Sequence, residues 1–375
     1  MKIVVAFDSF KGSLSAQDAV NTVSKAIKEV SPSANIVKLP LADGGEGTTE
    51  ILAYYLNASW TRCKVHDALM RPIICKYAIS KDGNTAIMDM ASAAGLTLLS
   101  KEERNPMFTT TFGVGEMLCD AVGKGCKHIL LGIGGSATND AGIGMLTALG
   151  AKIYDNDRKE VIPIGENMQN ISTIDRSNLL DLSAISIEVI CDVTNPLYGP
   201  NGAAHVYAHQ KGANDTEIVA LDRGLRHLST FFSISPNTCG SGAAGGLGYA
   251  LLSLNAQLKV GAEVVINAAK LSYHIADADL IITGEGKIDS QTLCGKLPFA
   301  VLKVAKQAKI PVVALAGCVE DKDQLLMAGF KVVKSINDVC PTSLSITQQM
   351  LPIVATKNLS ETIKQLLKNI YTLKK

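Results

Sequence analysis

At 375 residues the chain exceeds what one hydrophobic core usually fills, so two domains are expected. A composition of 47% hydrophobic and 19% charged residues, with mean hydropathy +0.20, excludes a disordered or fibrous protein. A formal net charge of +1, with lysines and arginines scattered along the sequence, leaves no basic footprint for a nucleic acid or an anionic membrane, and a small molecule is the expected partner.

The opening MKIVVAFDSF contains an apolar run broken by Asp8, too short for a signal-peptide core, and no later run approaches a membrane span. Lys2 to Phe7 reads as a strand. Ala16, Ala19, Val20, Val23, Ala26, Ile27 and Val30 then recur on one helical face until Pro32 ends the helix. A second strand follows near Ile36 to Leu39, and Asp43-Gly-Gly-Glu-Gly47 precedes the helical stretch TTEILAYYL. In the middle, TRCKVH, IICKYAI and TAIMDM are short β-like pieces ahead of a glycine-rich strand and helix; ISIEVIC and a long helical stretch from Asn214 come later. Near the end, ADLIITG, IPVVALAG and KVVKSI are apolar strands separated by helices, and a helix rich in Leu, Ile and Lys closes the chain. Alternating β and α implies a mostly parallel sheet. The different middle implies a discontinuous first domain, residues 1–62 plus 275–375, interrupted by an inserted α/β domain with glycine-rich loops, residues 63–274. The nine cysteines are odd in number, dispersed and nowhere spaced CxxC, which argues against a disulfide framework or a zinc knuckle. The cytosol is the expected compartment, with most of these thiols buried as small hydrophobes.

In open α/β sheets ligands bind beyond the carboxyl ends of the strands. Asp8, Asp43, Asp192 and Glu285 each follow a predicted strand. Singly, such a carboxylate caps the next helix; grouped with glycine and lysine, it suggests more. Asp8-Ser-Phe-Lys11-Gly12, and Gly284-Glu285-Gly286-Lys287 with Asp289 and Gly295-Lys296, combine three features. There is an acid for magnesium or a hydroxyl proton, a lysine for phosphate, and glycine for close approach, which is what phosphoryl transfer needs. Neither is a Walker A loop, because Gly295-Lys296 is followed by Leu297 and position 290 is Ser.

A rival sits in LGIGGSATNDAGIG, Leu131 to Gly144. Gly132-x-Gly134-x-x-Ala137 fits a relaxed dinucleotide fingerprint after a strand, with Asp155 near the ribose position, and supports an NAD(P)-dependent hydroxy-acid dehydrogenase. Thr138, Asn139 and Asp140 weigh against it, since they put a carboxylate and an amide where pyrophosphate would approach. Gly240 to Gly246 also matches GxGxxG but lacks a clear preceding strand, and close packing explains it equally well. His205 and His209 are four apart without an HExxH pattern, and there is no GxSxG elbow, so zinc and covalent hydrolase chemistry are not expected.

Seven ordered blocks together resemble the bacterial glycerate kinase family (type 1): DSFKGSLSA from Asp8, PLADGGEGT from Pro40, GIGGSATNDAGIGML from Gly132, CDVTNPLYGPNGAA from Cys191, QKGA from Gln210, SGAAGGLG from Ser241, and ADLIITGEGKIDSQTLCGK from Ala278. The resemblance spans nearly the whole chain. It implies transfer of the γ-phosphoryl group of ATP, with Mg2+, to a hydroxyl of D-glycerate, more often giving 2-phosphoglycerate in organic acid catabolism. It also implies two α/β domains, one Rossmann-like or flavodoxin-like, with the active site in the cleft between them; a homodimer is allowed. Departures are Ala141 where glycine often follows Asn-Asp, Ala208-His209 where Gly-Pro is usual, and Asp67-Ala-Leu-Met-Arg71-Pro72 for Asp-Pro-Leu-Gly-Arg-Pro.

Side-chain chemistry then suggests roles. Arg71 is a clamp for the substrate carboxylate, with a surface salt bridge as the alternative. Asp192 or Asp8 accepts the hydroxyl proton. Asp43, Glu46, Glu285 and Asp289 form the pool for magnesium, with Asp43, Glu285 and Asp289 in front. Lys11, Lys211 and Lys296 hold phosphate charge. Gly134, Gly135, Ser136 and Thr138, with Asn139 and Asp140, cradle substrate or phosphate, and Gly44, Gly45, Gly284 and Gly286 join Asp43, Glu46, Glu285 and Lys296 around the nucleotide.

Overall fold

The computed structural model describes residues 1–339 and 344–372. Its strands are β1 (Lys2–Phe7), β2 (Asn35–Pro40), β3 (Ser59–His66), β4 (Pro72–Ile79), β5 (Thr85–Asp89), β6 (His128–Gly132), β7 (Lys152–Tyr154), β8 (Thr173–Asp175), β9 (Ser186–Ile190), β10 (Gln257–Lys259), β11 (Leu280–Ile288), β12 (Val312–Val319) and β13 (Val332–Ser335). The chain divides into two compact units, Met1–Ile51 with the chain from Gly261 onward, and Leu52–Val260.

In the first unit, β13-β12-β11-β1-β2 form one parallel sheet. Numbered in order of appearance, the strands run 2-1-3-4-5, the flavodoxin-like doubly wound order, which reverses between β1 and β11. Ile3 to Phe7 are all fully buried, as a strand covered on both faces requires. The helix Ala16–Val30 starts where the Ser15 side chain accepts from the Asp18 N–H, and it buries Ala16, Ala19, Val20, Val23, Ala26 and Ile27. That apolar stripe packs against the closing helix Pro352–Thr372. The strand extends further than its apolar run predicts: Glu285 does not follow β11 but lies within it, paired with Ala316, and Lys287 pairs with Cys318. Gly284 serves packing there, because a Cβ would lie 2.1 Å from the Leu315 carbonyl oxygen.

The second unit carries the sheet β10-β9-β6-β5-β4-β3, parallel from β10 to β5 and antiparallel from β5 to β3, with β7 and β8 as a separate hairpin. The breaks between units fall earlier than the sequence patterns place them. Pairing of Ser59–His66 with β4 draws the whole of β3 into the second unit, and the helices Gly261–Ala268 and Leu271–Ile275 pack on Leu297–Gln307 of the first. Among the described residues no helix is long and apolar enough to cross a membrane.

Candidate active site

The order reversal in the first unit leaves a crevice where connections from β1 and β11 diverge. A cavity of about 490 Å³ occupies it. Its charged lining is Asp8, Lys11, Asp43, Glu285, Lys287 and Lys296; its apolar lining includes Phe10, Ile336, Ile346, Met350 and Ala355. Asp8 directly follows β1, and its N–H donates to the Gly284 carbonyl, locking it beside β11. Asp43 accepts from the Gly45 N–H and lies 3.6 Å from Lys11 Nζ. The Thr292 hydroxyl donates to Glu285 and accepts from the Asp289 N–H, which ties the two acids of this segment together.

Burial, reinforced by the charge of Asp43, pushes the Asp8 carboxyl up to about 7. Burial likewise pushes Glu285 up to about 7, with Lys296 opposing and Asp8 and Asp43 adding to the shift. Three acids therefore repel one another in a single cavity whose lysines are not all free to neutralise them. Lys287 is bound to Glu320 and Asp289, and Lys296 lies 3.9 Å from Asp289. Glu46 is exposed and does not line the cavity. Gly44 is placed by contact, since a Cβ on Gly261 would come within 2.2 Å of its Cα.

Magnesium takes one or two carboxylates plus phosphate oxygens and water. Among the described residues no three His, Cys, Asp or Glu side chains form a ready-made cage. The donors nonetheless fit: all are carboxylate oxygens, and Asp289 Oδ1 is buried without a hydrogen bond.

In the second unit, the glycine-rich loop follows β6. Gly134 and Gly135 are exposed, and a Cβ on Gly134 would meet nothing within 4 Å, so packing does not demand this glycine. Behind them the loop is pinned. The Ala137 N–H donates to the Ala94 carbonyl, and buried Lys211 donates to Ser136 Oγ and to the Thr138 carbonyl, each at 2.7 Å. Two of the three Lys211 donors are thus spent on the loop itself. Burial pushes the Lys211 amine down to about 7, with Asp140 opposing.

Asp140 is a structural anchor. Its carboxylate accepts from the Thr111 N–H and hydroxyl and from the N–H groups of Gly142 and Gly144. Burial raises its pKa against those bonds. Thr111 itself lay outside the sequence reading, because nothing local marks a threonine whose partner is 29 positions away. Asn139 is fully buried, and neither its Oδ1 nor its Nδ2 has a protein partner; the buried Thr138 hydroxyl is in the same state.

Arg71 is engaged rather than free. Its Nε donates to Asp67 at 2.6 Å and its Nη1 to Glu103 at 2.6 Å, so a substrate carboxylate would compete with two of the protein's own. Asp192 is exposed beyond the carboxyl end of β9, beside the strand that delivers the glycine-rich loop. Asn337 and Gln349 are also on the cavity wall of the first unit, and the sequence does not mark them, because an uncharged amide near a strand or helix end is an ordinary surface residue.

The dinucleotide fingerprint fails on geometry. A pyrophosphate site needs a helix opening at the glycines; here the helix Ile143–Ala148 starts beyond Gly142 and has six residues. Asp155 sits in a turn of the β7–β8 hairpin, where its carboxylate accepts from the N–H groups of Asp157 and Lys159, and β7 is not part of the parallel sheet.

Comparison with known proteins overturns the dehydrogenase reading independently. The sequence model of the glycerate kinase family matches residues 3–371. A glycerate kinase of Bacillus subtilis is 42% identical over 344 residues, 90% of each chain, and a glycerate 2-kinase of Escherichia coli is 43% identical over 328 residues, 86% of each. The crystal structure of a Salmonella typhimurium LT2 protein described as a glycerate kinase 2 superposes with a TM-score of 0.86 at 38% identity, covering 100% of this chain and 99% of that one.

Proposed function

The chain belongs to the glycerate kinase family, and from that premise we propose that it transfers the terminal phosphoryl group of ATP to a hydroxyl of D-glycerate, giving a phosphoglycerate, with magnesium as the accompanying cation. The observation that carries the reading is the cavity at the order reversal of the first unit, which carboxylates, lysines and apolar side chains line together. Phosphoryl transfer asks for charge neutralisation and positioning rather than covalent chemistry, and this lining supplies both. Lys11 and Lys296 hold phosphate oxygens, and Phe10, Ile336 and Met350 give the nucleotide base an apolar surface. Asp43, Glu285 and Asp289 would hold magnesium, which would supply positive charge against the phosphates.

The attacking hydroxyl must lose its proton to a nearby base. Asp8 fits that task, being a carboxylate on the cavity wall that takes up a proton near neutrality. In the second unit, the exposed backbone of Gly134 and Gly135 with Lys211 behind it offers N–H groups and positive charge to an anion, and Asn139 and Thr138 offer unspent polar atoms; together they support this loop as the hydroxy-acid site. The test is steady-state turnover of Asp8→Asn and Asp192→Asn, with folding checked by circular dichroism. The assignment predicts that Asp8→Asn loses at least a hundredfold in kcat while Asp192→Asn keeps most of it; the reverse ranking would transfer the role of base to Asp192.

A further inference from the structure

Two thiols that phosphoryl transfer does not use face each other in the second unit. Cys63 on β3 and Cys75 on β4 are directly opposed in antiparallel register, both buried, with Sγ atoms 3.1 Å apart. Both are reduced. Directly opposed antiparallel residues have Cα atoms about 4.5 or 5.5 Å apart, inside the roughly 4.4–6.8 Å that a disulfide spans. Bond formation therefore asks the sulfurs to close by about an ångström and leaves the strands where they are.

We infer that Cys63 and Cys75 are a reversible redox modification site, which a hydroperoxide converts into a cross-strand disulfide stapling the stem of the hairpin that carries Asp67 and Arg71 on its turn. The chemistry balances with hydrogen peroxide as the oxidant. The Cys63 thiolate attacks one peroxide oxygen, the O–O bond breaks, and Cys63 sulfenic acid and water form. The Cys75 thiolate then attacks the Cys63 sulfur and displaces hydroxide, which leaves as a second water. Two thiols lose two protons and two electrons in all, and the peroxide is reduced to two waters.

Either sulfur can donate the hydrogen bond that joins the pair; with Cys75 donating, it lowers the Cys63 thiol against the opposition of burial and, with burial, raises that of Cys75, so Cys63 attacks first and Cys75 resolves. Access follows from topology. Among the described residues β3 is the edge strand of its sheet and pairs with β4 alone, and a strand held on one side opens more readily than one held on both. A thiol solute reverses the step by exchange.

The experiment treats the folded protein with hydrogen peroxide, alkylates remaining thiols, and digests with trypsin without reduction. Because Arg71 precedes Pro72, the Cys75 peptide runs from Val65 to Lys76, and Cys63 leaves as the dipeptide Cys63-Lys64. The expected product is these two peptides joined with loss of two hydrogens, regenerated as free thiols by dithiothreitol and absent from Cys63→Ser and Cys75→Ser. Recovery of both cysteines alkylated, or of Cys63 as sulfinic acid without the link, overturns the proposal. The same treatment in urea shows that the reagents can form the link.

Discussion

Asn139 keeps an amide wholly inside the protein without one hydrogen bond to it. A polar group in that state costs about 1–3 kcal/mol, and an apolar replacement of similar shape removes the cost. Asn139→Leu is therefore expected to leave the thermal midpoint unchanged or raised while kcat/KM for glycerate falls more than tenfold. A lowered midpoint with normal turnover would make Asn139 a packing residue. Lys211 gives a second residue-scale prediction. Its pKa falls from an ordinary 10.5 to about 7 on folding, so between those values the unfolded chain binds more protons. The cost of burying it is fully present below about pH 7 and shrinks as pH rises, by up to about 1.4 kcal/mol per unit. Wild type should accordingly gain on Lys211→Met between pH 7 and 10 in urea unfolding; parallel pH profiles would show that Lys211 stays charged. The sequence made the acids and lysines after strands legible, because strand ends are where an α/β sheet binds ligands. It could not separate Lys211, which holds its own loop, from Lys11, which lines an open cavity, because that difference is burial.

Between β6 and the helix Ile143–Ala148, one carboxylate organises a whole turn. Asp140 receives four hydrogen bonds, and Thr111 Oγ1 passes the chain on by accepting from the Met145 N–H. Asp140→Ala should cost about 2–4 kcal/mol in urea unfolding, as expected for breaking a buried charged network; a loss under 1 kcal/mol would contradict its role as anchor. Gly115 shows what part of the glycine density is for. A Cβ there would lie 2.5 Å from the Met145 carbonyl oxygen and 2.7 Å from Ala148 Cβ, so helix Phe112–Gly123 can approach Ile143–Ala148 only at a glycine. Gly115→Ala should destabilise by about 1–3 kcal/mol with the turnover of the folded fraction kept. Glycine spacing alone cannot tell such a contact from a ligand cradle. The same ambiguity covers Gly284, which the sequence offers as a place for close nucleotide approach and which the crowding of β11 against Leu315 and Phe7 requires for packing.

At the scale of the molecule, the alternation of apolar strands and amphipathic helices was enough to read an α/β protein with parallel sheets. The 2-1-3-4-5 order was not readable, since no local pattern states that β11 lies beside β1, and that adjacency is what brings Asp8 and Glu285 into one cavity. A consequence concerns metal dependence. With no preassembled cage among the described residues, chelation by EDTA should leave the thermal midpoint of the ligand-free protein unmoved while abolishing turnover; a midpoint that drops would reveal a resident structural ion. The most direct measurement of the reaction itself is phosphorus NMR of the purified protein with magnesium-ATP and D-glycerate. A phosphomonoester signal of phosphoglycerate should grow in step with ADP and be absent when glycerate is omitted, its shift distinguishing the 2- from the 3-position. No glycerate-dependent signal at millimolar substrate would contradict the proposed transfer.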